Sequence, residues 1–241
     1  MNRLSDIRHR FAAVVVTAGV IGTALIAASQ MSVRNDQTPA STPATPSEIR
    51  GAPAESESLF SGIRQRGAAL GSPAAPITLV EYADLQCPYC AQWARETLPV
   101  LVRDYVRGGK LRIVFKGLAF IGPDSEKALR TAIAAGREDH LWELVHGLYA
   151  RQEAENSGWV SDALVREIAA DSGLDGDKLI EERWSSLVET EVHRAAGSAQ
   201  GAGVQGTPSF EIGPTGGRLQ LTQVSSLGPH GIVPAIEAEL G

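Results

Sequence analysis

The segment QCPYC at residues 86–90 most constrains the fold of this chain, because it contains both cysteines of a 241-residue protein. It follows PITLVEYAD (76–84), a nearly continuous apolar run with β-branched residues that predicts a buried strand. The residues after it have helical spacing, and proline is favoured at the first position of a helix, where no N–H is left unsatisfied. The pattern therefore predicts Cys87 at the start of a helix and Cys90 one turn later on the same side.

This placement of the two cysteines favours redox chemistry. The free N–H groups and the positive end of the helix dipole stabilise a thiolate at Cys87 and lower its pKa, and the thiolate is the form that attacks disulfides. A substrate held as a mixed disulfide on Cys87 can then be released by Cys90. Zinc prefers four ligands and there is no second cysteine pair, so we expect no metal. A purely structural disulfide stays open, although so short a loop would add little stability.

Composition and charge argue against other classes of function. The chain is 43% hydrophobic and has a net charge of −6, which disfavours a nucleic-acid partner. The segment GAGVQG at 201–206 matches the dinucleotide pattern G-x-G-x-x-G. A helical pattern precedes it and an extended Thr-Pro segment follows it, which reverses the order that a dinucleotide site needs. We therefore expect no nucleotide and no other cofactor.

The N-terminal part of the chain predicts export from the cytoplasm. Residues 11–33 carry no charge, and residues 1–10 contain three arginines against one aspartate, which predicts a transmembrane anchor with a cytoplasmic N-terminus. The alternative is a signal peptide that is cleaved near Ala-Ala-Ser at 27–29. Residues 34–57 are rich in Ser, Thr, Pro and Ala and predict a flexible linker. In both cases the domain at 58–241 would lie outside the cytoplasm, where disulfides persist.

The pattern after residue 58 predicts one α/β domain. A second strand, KLRIVFKG (110–117), follows the helix, so the first two strands should be parallel with a right-handed crossover. Pro99 should kink the crossover helix. A helical region then covers about 123–203, and a β-hairpin formed by TPSFEIG and RLQLTQV leads to a helix at about 232–240.

These segments together resemble the thioredoxin fold. The resemblance is carried by VEYADLQ before CPYC and by Gly-Thr-Pro at 206–208 before a late strand. The helical insertion and the segment GLAFIGPDSEKALRTA make residues 58–241 similar to the DsbA-like thiol–disulfide oxidoreductases, specifically the membrane-tethered bacterial type. The resemblance implies a thioredoxin fold with a helical insertion between its βαβ and ββα halves.

The resemblance also implies roles for individual residues. Cys87 matches the family's nucleophile and Cys90 its buried resolving partner, so the two would form the redox disulfide. Pro208 matches the cis-proline that faces the disulfide, and Thr207 would contact the substrate backbone. Glu81 matches a buried acid beneath the site, where a carboxyl could relay the proton of Cys90 and burial would raise its pKa. An acid at a strand end without a catalytic role is the alternative for Glu81.

The dipeptide between the cysteines leaves the direction of the reaction open. Pro88 and Tyr89 would tune the redox potential, and the same dipeptide occurs in glutaredoxins. Glutaredoxins have only a short segment between CxxC and the cis-proline, whereas here a long helical region separates Cys90 from Pro208. The sequence therefore disfavours glutaredoxin activity without setting the potential.

Three hypotheses for the function follow. The first is a monomeric dithiol oxidase that gives its disulfide to unfolded exported proteins and is reoxidised by a membrane partner of the DsbB or VKOR type, as the resemblance implies. The second is a disulfide reductase or isomerase of the same fold. The third is a binding module or chaperone that keeps CxxC only for stability.

Overall fold

The computed structural model describes residues 59–241. The tail predicted at 1–10, the anchor or signal peptide at 11–33 and the linker at 34–57 all lie outside this range. Within the described part of the chain, no helix is both long enough and apolar enough to cross a membrane.

A six-stranded sheet forms the centre of the described domain, in the order β1-β2-β4-β3-β5-β6. The strands are β1 (Gln65–Arg66), β2 (Ala69–Leu70), β3 (Ile77–Asp84), β4 (Leu111–Leu118), β5 (Ser209–Pro214) and β6 (Gln220–Thr222). Strands β3 and β4 are parallel, as the sequence predicts, and β5 runs antiparallel to β3. All eight residues of β3 are buried, which fits its apolar sequence and its central position.

The helices occupy the segments between and after these strands. They are α1 (Pro88–Glu96), α2 (Leu98–Leu101), a π-helical turn (Val102–Val106), α3 (Pro123–Gly136), α4 (Leu141–Ala150), α5 (Asp162–Asp171), α6 (Gly176–Glu182), α7 (Ser186–Ala202) and α8 (Pro229–Leu240). Helices α3 to α7 form the predicted insertion between the βαβ and ββα parts. The fold class predicted from the sequence is confirmed.

The crossover helix is interrupted near the predicted proline. Helix α1 ends at Glu96, and α2 starts at Leu98 with Pro99 in its first turn. A proline is tolerated there because its missing N–H would have no partner within the helix. Residues of α1, α2 and the π-helical turn all belong to the larger hydrophobic core.

Two short strands at the sheet edge were not predicted. Strands β1 and β2 have two residues each and are joined by a turn in which Gly67 has φ +56°. Strand β2 pairs with β4 and extends the sheet by two strands. Segments of two residues are too short for an alternating pattern to indicate a strand.

The two faces of β3 contact different helices. Leu79 and Ala83 belong to the larger core with residues of α1, α3 and α4, whereas Val80 and Tyr82 pack on the opposite face with Ala199 of α7. Successive side chains of a strand point to opposite faces. Glu81 therefore lies on the face of the larger core, the same face that α1 covers.

Candidate active site

The turn between β3 and α1 places Cys87 at the N-terminus of a helix. Cys87 is the N-cap residue with extended backbone angles (φ −70°, ψ 120°), and Pro88 is the first helical residue. The N–H of Cys87 donates to the carbonyl oxygen of Asp84 at 3.0 Å, which closes the turn. The sulfur of Cys87 thus lies where the unpaired N–H groups of the first helical turn point.

The two cysteines are free thiols with opposite electrostatic environments. The pKa of Cys87 is lowered from 9.0 to about 6, and hydrogen bonding with the Cys90 thiol is the largest cause. Burial of Cys87 acts in the opposite direction, whereas hydrogen bonds from the N–H groups of Cys90 and Tyr89 lower the pKa further. Cys90 is completely buried, and this burial, followed by the interaction with Cys87, raises the pKa of its thiol well above 9.0. At neutral pH the thiolate is therefore on Cys87.

The loop before β5 lies against Cys87. The peptide bond between Thr207 and Pro208 is cis, and the thiol of Cys87 donates to the carbonyl oxygen of Thr207 at 3.4 Å. Strand β5 brings this loop to the site, because its residue Ser209 pairs with Tyr82 near the end of β3. A hydrogen bond with the Thr207 side chain also contributes to the lowered pKa of Cys87.

Glu81 is a buried acid beneath the cysteine pair. Its side chain is 2% exposed, and Oε1 has no hydrogen-bond partner in the described part of the chain. Burial raises the pKa of this carboxyl from 4.5 to about 8, so it is mainly protonated at neutral pH. When Glu81 is ionised, its charge adds to burial and to the interaction with Cys87 in raising the pKa of Cys90. The acid and the buried thiol are thus coupled.

The two residues between the cysteines face solvent. Pro88 is exposed, and the Tyr89 side chain is 63% exposed. Tyr89 is one of the large apolar side chains that the described structure leaves at its surface, together with Phe120. The exposed surface next to Cys87 therefore includes an aromatic ring.

Comparison with known proteins identifies the family. A family model described as thioredoxin matches residues 64–218, more than half of the chain. The chain belongs to the thioredoxin family. Within it, the protein is 30% identical over 147 residues to the probable disulfide bond formation protein D of Bacillus anthracis, which is 59% of this chain and 68% of that protein. The sequence-based prediction of a DsbA-like thiol–disulfide oxidoreductase is confirmed.

Solved structures share the fold of this thioredoxin-family protein. Oxidised BdbD from Bacillus subtilis aligns with a TM-score of 0.63 at 22% identity and covers 74% of this chain and 97% of that one. The α-DsbA1 protein of Wolbachia pipientis aligns with a TM-score of 0.62 at 18% identity and covers 76% of this chain and 95% of that one. At these identities the two matches show a common fold.

The insertion of this thioredoxin-family protein supplies two residues that the sequence analysis missed. The Tyr149 hydroxyl donates to the carbonyl oxygen of Asp84 at 3.3 Å. The Gln152 amide donates to the carbonyl oxygens of Leu85 at 2.9 Å and Cys87 at 3.3 Å. These contacts join residues at least 65 positions apart, so no local pattern could have predicted them.

The described part of the chain contains no cluster of side chains that could bind a metal ion. Among residues 59–241, no group of three or more His, Cys, Asp or Glu side chains is placed to hold a metal ion. The groups that meet at the site are thiols, a carboxyl and backbone amides.

Proposed function

We propose that this protein is a dithiol oxidase that transfers a Cys87–Cys90 disulfide to unfolded exported proteins outside the cytoplasm. The contrast between the two thiols carries this proposal: the pKa of Cys87 is lowered to about 6, and that of Cys90 is raised. A stabilised Cys87 thiolate favours the reduced enzyme, so the disulfide is readily passed to a substrate. The similarity to a probable disulfide bond formation protein supports the same direction.

The proposed reaction has two exchange steps. A substrate thiolate attacks the Cys87 sulfur of the enzyme disulfide, which forms a mixed disulfide and releases Cys90 as a thiolate that takes up a proton. A second substrate thiolate attacks the substrate sulfur of the mixed disulfide and releases the Cys87 thiolate. The substrate gains a disulfide, and the two electrons remain on the Cys87 and Cys90 sulfurs. The lowered pKa of Cys87 makes it a good leaving group in the second step.

The remaining predicted residues have supporting roles in this proposal. Glu81, protonated at neutral pH, supplies the proton that Cys90 takes up. Thr207 and Pro208 hold the substrate backbone beside Cys87, with which the Thr207 carbonyl already forms a hydrogen bond. Tyr89, and Pro88 before it, complete the exposed surface that the substrate approaches.

Location and partners belong to the same proposal. Residues 11–33 would anchor the protein with its N-terminus in the cytoplasm, or direct export as a cleaved signal peptide. A membrane protein of the DsbB or VKOR type would reoxidise the cysteine pair of the monomeric domain, and tethering would raise the effective concentration of the two partners. The mass of the mature protein isolated from membranes distinguishes anchor from signal peptide.

The equilibrium of the cysteine pair with a glutathione redox buffer tests the direction. The oxidised and reduced forms are separated by thiol alkylation at each glutathione ratio. We expect a potential near the oxidising value of about −120 mV. A potential near about −270 mV, typical of thioredoxin, would contradict the oxidase assignment and make the protein a reductase.

Variants of the two cysteines test the mechanism. Cys87→Ser removes the attacked sulfur and should abolish oxidation of a dithiol peptide. Cys90→Ser cannot form the enzyme disulfide and should also lose dithiol oxidation. Its Cys87 thiolate should instead attack a peptide that already contains a disulfide and remain in the mixed disulfide, because Cys90 is not there to displace the peptide. If the Cys87→Ser variant still oxidised the peptide, or if the Cys90→Ser variant trapped no substrate, the proposed steps would be wrong.

A further inference from the structure

A buried carboxylate lies three residues before the CPYC motif and accepts four hydrogen bonds. Asp84 ends strand β3 and is completely buried. Its Oδ1 accepts from the N–H of Gln86 at 2.8 Å and from the hydroxyl of Ser125 at 2.6 Å. Its Oδ2 accepts from the N–H groups of Phe120 at 2.7 Å and Ile121 at 3.1 Å. The two oxygens therefore hold two different segments of the chain.

The Oδ1 side holds the turn that presents the reactive cysteine. The bond from Gln86 to Oδ1 is a side-chain turn within the chain segment that leads into Cys87. The carbonyl oxygen of Asp84 accepts from the N–H of Cys87 at 3.0 Å and from the Tyr149 hydroxyl at 3.3 Å. The position of Cys87 at the helix N-terminus thus depends on how Asp84 is held.

The Oδ2 side holds the segment that follows β4. In the parallel pair β3 and β4, Asp84 lies opposite Leu118, so both strands end at the same edge of the sheet. Phe120, two residues beyond that edge, has a side chain that is 58% exposed although its N–H is bound by Asp84. We call residues 119–122 the aromatic loop. It leaves the sheet at the edge from which the CPYC motif also leaves.

A second set of hydrogen bonds joins the same two segments. The side-chain oxygen of Gln86 accepts from the N–H of Asn156 at 2.6 Å, and its amide donates to Ser125 at 2.9 Å. The Asn156 amide in turn donates to the carbonyl oxygen of Ile121 at 3.1 Å. The cysteine turn, the insertion and the aromatic loop are therefore connected in a closed network that contains Asp84.

We propose that Asp84 is a positioning residue that couples the geometry of the Cys87 turn to a substrate-binding surface formed by the aromatic loop. The inference rests on the proposed function, because the loop would contact apolar side chains of an unfolded protein substrate. Phe120 is the exposed aromatic ring of this loop, and Tyr89 is a second exposed ring within the CPYC motif. Asp84 acts on the reaction only through the segments that it holds.

The variant Asp84→Asn tests this role with little change in size. An amide has one oxygen and one NH₂ group, so it cannot accept hydrogen bonds on both sides. Whichever way it is oriented, either the turn or the aromatic loop loses its acceptor. Loss at the turn should raise the pKa of Cys87 by about one unit, measured from thiolate absorbance. Loss at the loop should raise the KM for a dithiol peptide with apolar flanking residues about fivefold.

The direction of the change in the Cys87 pKa distinguishes a change in the geometry of the turn from the removal of a nearby charge. Removal of a nearby negative charge alone would favour the thiolate and lower the pKa of Cys87. A rise in the Cys87 pKa or a rise in the peptide KM supports the proposal. If Asp84→Asn keeps native near-ultraviolet circular dichroism with an unchanged KM and an unchanged or lower Cys87 pKa, the proposal is wrong.

Asp124→Asn is the matched control. Asp124 is a second buried acid in the insertion, and its Oδ2 accepts from the N–H of Gly158 at 2.8 Å. Its amide can keep that bond, so we expect wild-type values for both the Cys87 pKa and the KM. A change of either readout in Asp124→Asn equal to that in Asp84→Asn would reduce the role of Asp84 to general stability and overturn the proposal.

Phe120→Ala connects the loop to the substrate. We expect it to raise the KM for the apolar peptide and to leave the reaction with glutathione, which lacks such flanks, unchanged. An unchanged peptide KM in Phe120→Ala would overturn the proposal, because the aromatic loop would then not bind the substrate. Failure of the oxidase assignment can be distinguished from failure of the Asp84 proposal. The glutathione equilibrium and the Cys87→Ser variant test the oxidase assignment. The pKa of Cys87 in Asp84→Asn tests the role of Asp84, whether the protein is an oxidase or a reductase.

Discussion

At the scale of single residues, the difference between the two cysteines comes from one helical turn of separation. Cys87 lies at the helix N-terminus beside Thr207, where several donors stabilise its thiolate. Cys90 lies one turn further into the core, where burial penalises the charged form. The same motif thus produces one reactive and one protected sulfur.

The hydrogen bond between the thiols can be tested by substitution at Cys90. Because this bond is the largest cause of the lowered pKa, Cys90→Ala should raise the pKa of Cys87 above about 6. Cys90→Ser keeps a hydroxyl donor, so the rise should be smaller. Ultraviolet absorbance of the thiolate as a function of pH measures both values. Equal pKa values for Cys87 in wild type and Cys90→Ala would show that the helix N-terminus alone stabilises the thiolate.

Glu81 should make stability depend on pH. Its pKa is about 8 in the folded protein against an ordinary value of 4.5, so the folded state binds the extra proton between these values. The contribution of the Glu81 proton to the free energy of unfolding of the wild type is therefore lost as the pH rises from about 4.5 to 8. In Glu81→Gln this loss is absent, so the variant's free energy of unfolding relative to wild type should increase over the same range.

Urea denaturation of the disulfide form at pH 5 and pH 8 measures this difference. The disulfide form is used because its cysteines do not titrate. If the difference in free energy of unfolding between wild type and Glu81→Gln stays constant from pH 5 to pH 8, burial does not raise the pKa of the Glu81 carboxyl.

At the scale of elements, close packing within the insertion depends on a glycine. Gly176 starts α6, and a Cβ added there would lie 2.6 Å from the Cα of Arg166 in α5. The neighbour is backbone, so the two helices would have to move apart. Gly176→Ala should therefore destabilise the protein by about 1–3 kcal/mol.

Gly197→Ala is the control for this substitution. Gly197 lies inside α7, and a Cβ added there has no described atom within 4 Å. Alanine costs less backbone entropy than glycine in a helix, so this variant should be more stable by about 0.5–1 kcal/mol. Denaturation midpoints of the two variants should shift in opposite directions. A shift of both in the same direction would contradict the packing of α5 against α6.

At the scale of the whole molecule, the Cys87 thiolate should make the reduced protein more stable than the oxidised one. A thiol whose pKa is lowered from 9.0 to about 6 contributes stability that is present above pH 9 and lost as the pH falls towards 6. Between pH 6 and 8.5 the stability advantage of the reduced form should fall by up to about 1.4 kcal/mol for each unit of decreasing pH. Thermal denaturation with and without dithiothreitol measures it.

The double variant Cys87→Ser with Cys90→Ser is the control for this measurement. It has neither thiol nor disulfide, so dithiothreitol should not change its melting temperature at any pH. A wild-type protein whose oxidised form is the more stable one at pH 8 would contradict a thiolate-stabilised reduced state and the proposed oxidase together.

The sequence by itself determined the local parts of the site. A buried strand followed by CPYC predicts Cys87 as N-cap and Cys90 one turn later, because strand burial, proline at the first helical position and helix periodicity are short-range preferences. The helical region at 123–203 follows from apolar spacing in the same way, and the parallel pair of strands follows from the order strand, helix, strand. Strands β1 and β2 could not be predicted, because two residues are too few to show an alternating pattern.

Only the tertiary structure decided which distant groups meet at the cysteines. The carbonyl oxygen of Thr207 accepts from a thiol 120 positions earlier, and Tyr149 and Gln152 reach the same turn from the insertion. Asp84 could be read from the sequence only as an acid near the motif. Its four donors come together because two parallel strands end at one edge of the sheet, and such long-range contacts depend on packing rather than on local propensity.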